Sequence, residues 1–161
     1  MQKILLISGD SALFYRLVAE ALCDRFDRML LIDVADFKKF IYSGLQPDNQ
    51  TEKVISQQHG IGIEGTIATA AAALKAQYGV IVLDHFPSRT TLADYQHLFA
   101  KHGIEEVNAV SLRLTDSEDK SVPTWLNGRT ISYEQEDQYL VIADLIQDLV
   151  GKGETMISFV Q

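Results

Sequence analysis

The sequence predicts an α/β fold, a five-stranded parallel sheet with helices on both faces. Short aliphatic runs alternate with longer segments whose apolar residues recur at helical spacing. The run Val80-Ile81-Val82-Leu83 is continuously aliphatic and rich in β-branched residues, as a strand buried on both faces of a parallel sheet requires. It stops at an acid, Asp84, followed by Phe86-Pro87. Ligands of open α/β sheets gather beyond such carboxyl ends, so any chemistry is expected there.

The first strand is Lys3 to Ser8 (KILLIS), ending at Gly9, and a helix follows from Ala12 to Phe26 with Leu13, Leu17, Val18, Ala21 and Leu22 on its apolar side. Met29 to Val34 is a further apolar run bearing Asp33 near its end, with Asp36 just beyond. The region from Phe37 to Gln77 reads as helical and connecting. Pro47-Asp48 starts a helix through Gln58, Gly60-Ile61-Gly62 breaks it, and Glu64 to Gln77 resumes with a run of alanines. After the central strand come a helix from Thr91 to Lys101 that stops at Gly103, and the strand Val107 to Leu114. Glu134 to Val150 is an amphipathic helix with Leu140, Ile142, Leu145, Ile146 and Leu149 inward. Thr155 to Val160 is the expected fifth strand.

The chain has 161 residues, 47% apolar and 22% charged, which fits one soluble domain spanning 1–161. A net charge of −8 argues against nucleic acid and against an anionic membrane, since both require clustered positive charge. No apolar segment approaches the roughly 20 residues of a membrane span, and the N-terminus lacks a signal-peptide pattern. A cytoplasmic location is the expectation. Cys23 is a single cysteine on a helix, read as a small packing residue. The scattered histidines offer no transition-metal constellation; His59, His97 and His102 read as helix-surface residues and His85 as a cleft-edge one.

Taken together, these pieces resemble an adenylate kinase, or more broadly a nucleoside monophosphate kinase of the P-loop fold. Leu83-Asp84-His85-Phe86-Pro87 resembles the family's Leu-Asp-Gly-Phe-Pro, with Ala93-Asp94 following in register. Lys38 to Gly44 resembles the nucleotide-binding helix ending in Ser-Gly, and Gly60 to Glu64 the turn after it. Asn127-Gly128-Arg129 resembles the entry to the lid. The resemblance implies a monophosphate-binding helical region over 37–78, a reduced lid over 129–137, and ATP with magnesium as the cofactors of an active member.

For the site, the resemblance implies Asp84, near magnesium in the family, and Arg129 at the lid entry. It also implies Gly9, Asp10 and Ser11 in the phosphate loop, Lys38 and Lys39 toward the monophosphate, and Arg89 beside the family's arginine position. The loop departs from Gly-x-x-x-x-Gly-Lys: only Gly9 matches, with Phe14 at the second glycine and Tyr15 at the lysine. Phe14 adds bulk where phosphate oxygens approach, and Asp10 adds negative charge. Arg16 is the nearest cation, about 100° round the helix from the lysine position. Asp84 alternatively pairs with Arg16 or Arg89.

The leading expectation is therefore a catalytically impaired kinase relative that binds a nucleotide or a protein partner. The second is an active kinase in which Arg16 does the lysine's work. A third is a receiver-like module with Asp84 as phospho-acceptor.

Overall fold

A computed structural model of the protein describes residues 3–41, 52–84, 89–115 and 129–158, with side chains at 52–56 and 89–94 outside that description. The elements run β1 (Ile4–Gly9), α1 (Ala12–Cys23), β2 (Met29–Asp33), α2 (Val34–Lys38), α3 (Glu52–Lys75) and β3 (Gly79–Leu83). They continue with α4 (Arg89–Lys101), β4 (Glu106–Leu114), β5 (Arg129–Tyr133), α5 (Tyr139–Lys152) and β6 (Met156–Ser158). The strand order is β2-β3-β1-β4-β5, all parallel, and β6 pairs antiparallel with the beginning of β4. A receiver-like sheet has the order 2-1-3-4-5, so the third expectation does not fit this topology.

The central strands are buried on both faces, as their continuous aliphatic runs require. Leu5, Ile7, Ile81, Leu83, Val110 and Leu112 face α1 and α5, meeting Phe14, Val18, Leu22 and Ile146. Ile4, Leu6, Val80, Val82 and Ala109 face α3 and α4, meeting Ile63, Ile67, Tyr95 and Phe99. Cys23 packs half-buried against the first of these layers.

Three expectations are corrected. The described sheet has six strands rather than five, because residues 129–133, read as part of a short connection, form β5. Its signal is faint: Ile131 and Tyr133 alone turn inward among polar neighbours, the alternation of a half-buried strand. Gly60 and Gly62 do not break α3, which runs unbroken from Glu52 to Lys75. Glycine here serves close packing, since a Cβ on Gly65 would lie 2.6 Å from the Phe37 ring. On α5 the inward stripe is Ile142, Ala143, Ile146, Leu149 and Val150, while Leu140 and Leu145 face outward.

Candidate functional site

The C-terminal ends of the parallel strands bring Asp10, Asp33, Asp84 and Tyr133 to one end of the sheet. Between β1 and α1 lie only Asp10 and Ser11, so the positions aligned with a phosphate loop, Ala12 to Tyr15, are already helical. The Asp10 N–H donates to the Leu112 carbonyl at 3.1 Å, and the Tyr15 N–H to the Ser11 carbonyl at 3.0 Å. Ser11 is the N-cap of α1: its Oγ accepts from the Phe14 N–H at 3.3 Å and donates to Glu136 Oε1 at 2.8 Å. Ser11→Ala is expected to lower stability by about 0.5–2 kcal/mol, read as a shift of the urea midpoint at unchanged slope.

Phe14 is fully buried and stacks on Tyr133, with ring centroids 3.8 Å apart and an interplanar angle of 19°. The Asp10 carboxylate accepts from the Leu114 N–H at 2.9 Å, tying the turn to the end of β4. Burial, then Asp10 and Glu136, pushes the Tyr133 phenol up to about 12. Burial does the same for Tyr15, helped by Asp33 and Asp84 and opposed by Arg16, again to about 12. A neutral phenol therefore stands at the lysine position.

Arg16 lies on the exposed face of α1 between Glu20, at 3.3 Å, and Asp33, at 3.4 Å. It does not pair with Asp84. Burial raises the pKa of Asp33, opposed by the hydrogen bond from the Ala35 N–H that makes Asp33 the N-cap of α2.

Asp84 sits one residue past β3, with its side chain 6% exposed. Tyr95 of α4 donates its hydroxyl to Asp84 Oδ2 at 3.0 Å, and burial, followed by that carboxylate, holds the phenol well above its ordinary pKa. His59 of α3, read from sequence as a surface residue, is instead buried, with Nε2 3.1 Å from Asp84 Oδ2. Among the described residues Nε2 makes no aligned hydrogen bond, so the two groups meet at close range without a formed bond. Once α3 is read through its glycines, His59, Ile63, Thr66, Ile67 and Ala70 share one buried face, and that is the signal the sequence carried. Tyr95 and Tyr133, not singled out before, are the other additions to the site.

The remaining expected residues scatter. Gly9 ends β1 beside the turn. Lys38 ends α2 and lies against α3, and Lys39 pairs with Asp36 on the surface. Arg129 opens β5 opposite Val110, in the register line of Ile7 and Leu83, so about 14 Å across the sheet from β3. The Arg89 side chain, His85 and residues 116–128 lie outside the described residues.

The same arrangement of elements is found in solved structures. A tunicamycin resistance protein from Deinococcus radiodurans aligns with TM-score 0.66 and 15% identity over 92% of this chain and 95% of that one. The APS kinase CysC of Mycobacterium tuberculosis aligns with TM-score 0.59 and 16% identity over 92% and 96%. A sugar kinase from Janibacter sp. HTCC2649 aligns with TM-score 0.53 and 11% identity over 93% and 96%. The fold is that of the P-loop kinases. No protein-family model matches the chain, and no curated protein does. The turn after the first strand of this chain, between Gly9 and Ala12, consists of Asp10 and Ser11. Among the described residues no group of three or more His, Cys, Asp or Glu could hold a metal, and no helix is long and apolar enough to cross a membrane.

Proposed function

We propose that this protein is an adenylate kinase-like domain whose donor site is closed, and that it works by binding a partner rather than by transferring phosphate. The observation that supports this is the β1–α1 turn. It has two residues where a phosphate cradle needs a glycine-rich loop. Phe14, at the start of α1, is packed into the core against Tyr133, the Ser11 hydroxyl donates to Glu136, and the Asp10 carboxylate is bound to the Leu114 N–H.

Charge supports the same reading. A magnesium nucleotide carries several negative charges, and phosphoryl transfer depends on fixed cations around them. Asp10, Asp33 and Asp84 crowd this end of the sheet, and Arg16 is taken up by Glu20 and Asp33. Two of the three solved structures named above are kinases by name. What a kinase needs at this turn is what these residues replace.

Calorimetric titration with ATP and magnesium is expected to give no heat of binding at millimolar nucleotide, and coupled assays across the nucleoside monophosphates are expected to stay at background. A saturable, magnesium-dependent ATP signal that Arg16→Ala abolishes would establish the active-kinase reading instead.

A further inference from the structure

We propose that the outer face of α5 is the surface on which the partner docks, and that the partner meets it with an amphipathic helix bearing leucine-like side chains ringed by lysine or arginine. This rests on the partner-binding role proposed above and adds where the partner sits and what chemistry it presents.

α5 carries more apolar residues than the core uses. Its inner stripe, Ile142, Ala143, Ile146, Leu149 and Val150, covers the sheet. Leu140, Val141 and Leu145 lie outside that stripe and are 49%, 67% and 41% exposed. At 3.6 residues per turn Val141 and Leu145 stand about one turn apart on the same side of the helix, with Leu140 next to Val141. A lone exposed leucine is ordinary, but three large apolar side chains within two turns of one helix have no role in the fold. At the same end of this layer α1 presents Leu13, 63% exposed, just past the Ser11 that donates to Glu136.

Charge selects the occupant. Glu134, Glu136, Asp137, Asp144 and Asp148 lie on or just before α5, and the cations paired to them are Arg25, 2.7 Å from Asp144, and Lys152, 2.6 Å from Asp148. Glu134, Glu136 and Asp137 have no ion pair among the described residues. A second copy of this chain is disfavoured, because a two-fold interface sets one patch against itself and brings these acids together. An anionic membrane is repelled for the same reason. A basic partner is drawn in by the acids at the rim and held by the apolar side chains between them. A helix suits the surface because the side-chain ridges of α5 interdigitate with those of another helix.

The probe is a fluorescein-labelled peptide of about 18 residues with leucine on one helical face and lysine on the other, beside a twin with glutamate for lysine. Polarisation is expected to show saturable binding of the lysine peptide at about 1–100 μM and at least about tenfold weaker binding of the twin. The double variant Val141→Ser, Leu145→Ser keeps every charge and removes side chains the core does not use. It is expected to lose at least about tenfold in affinity, whereas Ile61→Ser, at an exposed site on α3, changes it by less than about twofold. Equal binding by the double variant and the wild type, a twin that binds as well, or no saturable binding overturns the docking surface. A dimer of this chain that the double variant dissolves overturns it too. If the double variant does not fold, amide shifts of the wild-type protein decide: changes gathered on residues 137–148 support the surface, and changes elsewhere overturn it. Magnesium ATP titrated in parallel keeps the two readings apart. Nucleotide uptake with the peptide still bound counts against the closed donor site alone, and loss of the peptide signal without nucleotide uptake counts against this surface alone.

Discussion

Phe14→Ala is expected to lower stability by about 3–5 kcal/mol, the usual cost of emptying a fully buried aromatic site. For a chain of this length the melting temperature should fall by roughly 6–20 °C. Phe14 is wholly covered and stacked on Tyr133, and it belongs to the layer formed with Leu5, Ile7, Val18 and Leu112. The void opens inside that layer, and the turn before it still has only Asp10 and Ser11. The variant should therefore gain no affinity for ATP. A mild loss of stability accompanied by new magnesium-dependent ATP binding would show that the ring plugs an otherwise intact phosphate loop, contrary to the reading proposed here.

Gly9→Ala is expected to cost about 1–3 kcal/mol, or more if the strands cannot shift. A Cβ at this position would lie 2.6 Å from the carbonyl oxygen of Leu112. That oxygen is backbone in the neighbouring strand and accepts the Asp10 N–H, so it cannot swing aside like a side-chain tip. The resemblance reserved Gly9 for wrapping a phosphate; its close approach to β4 gives it a packing reason of its own. Chemical denaturation of Gly9→Ala beside Gly60→Ala makes the comparison, because a Cβ on Gly60 meets nothing within 4 Å. Equal losses in the two variants would remove the steric argument.

The central sheet was legible because buried parallel strands announce themselves as unbroken aliphatic runs, and β1 and β3 are such runs. β5 was not, because a strand covered on one face leaves only Ile131 and Tyr133 to mark it. That no glycine-rich loop separates β1 from α1 was readable from Phe14 and Tyr15, which stand where Gly-x-x-x-x-Gly-Lys has its second glycine and its lysine. That Phe14 would be stacked on Tyr133 was not, since the two are brought together only by the β4–β5 pairing. Asp84 could be named from its place after a strand. Its partners could not, because Tyr95 and His59 come from two separate helices, and reading α3 as broken at Gly60 placed His59 near a helix end instead of on a buried face.

β4 is nine residues long, and one flank of it is divided between two short strands running in opposite directions. β5 takes the half from Val110 onward and β6 takes Glu106 to Asn108. Neither can lengthen toward the other without a collision, and together they offer an incoming chain two brief, opposed ladders instead of one long template. Strand-to-strand association of copies is discouraged at that margin of the molecule by geometry alone, with no need for a row of repelling charges.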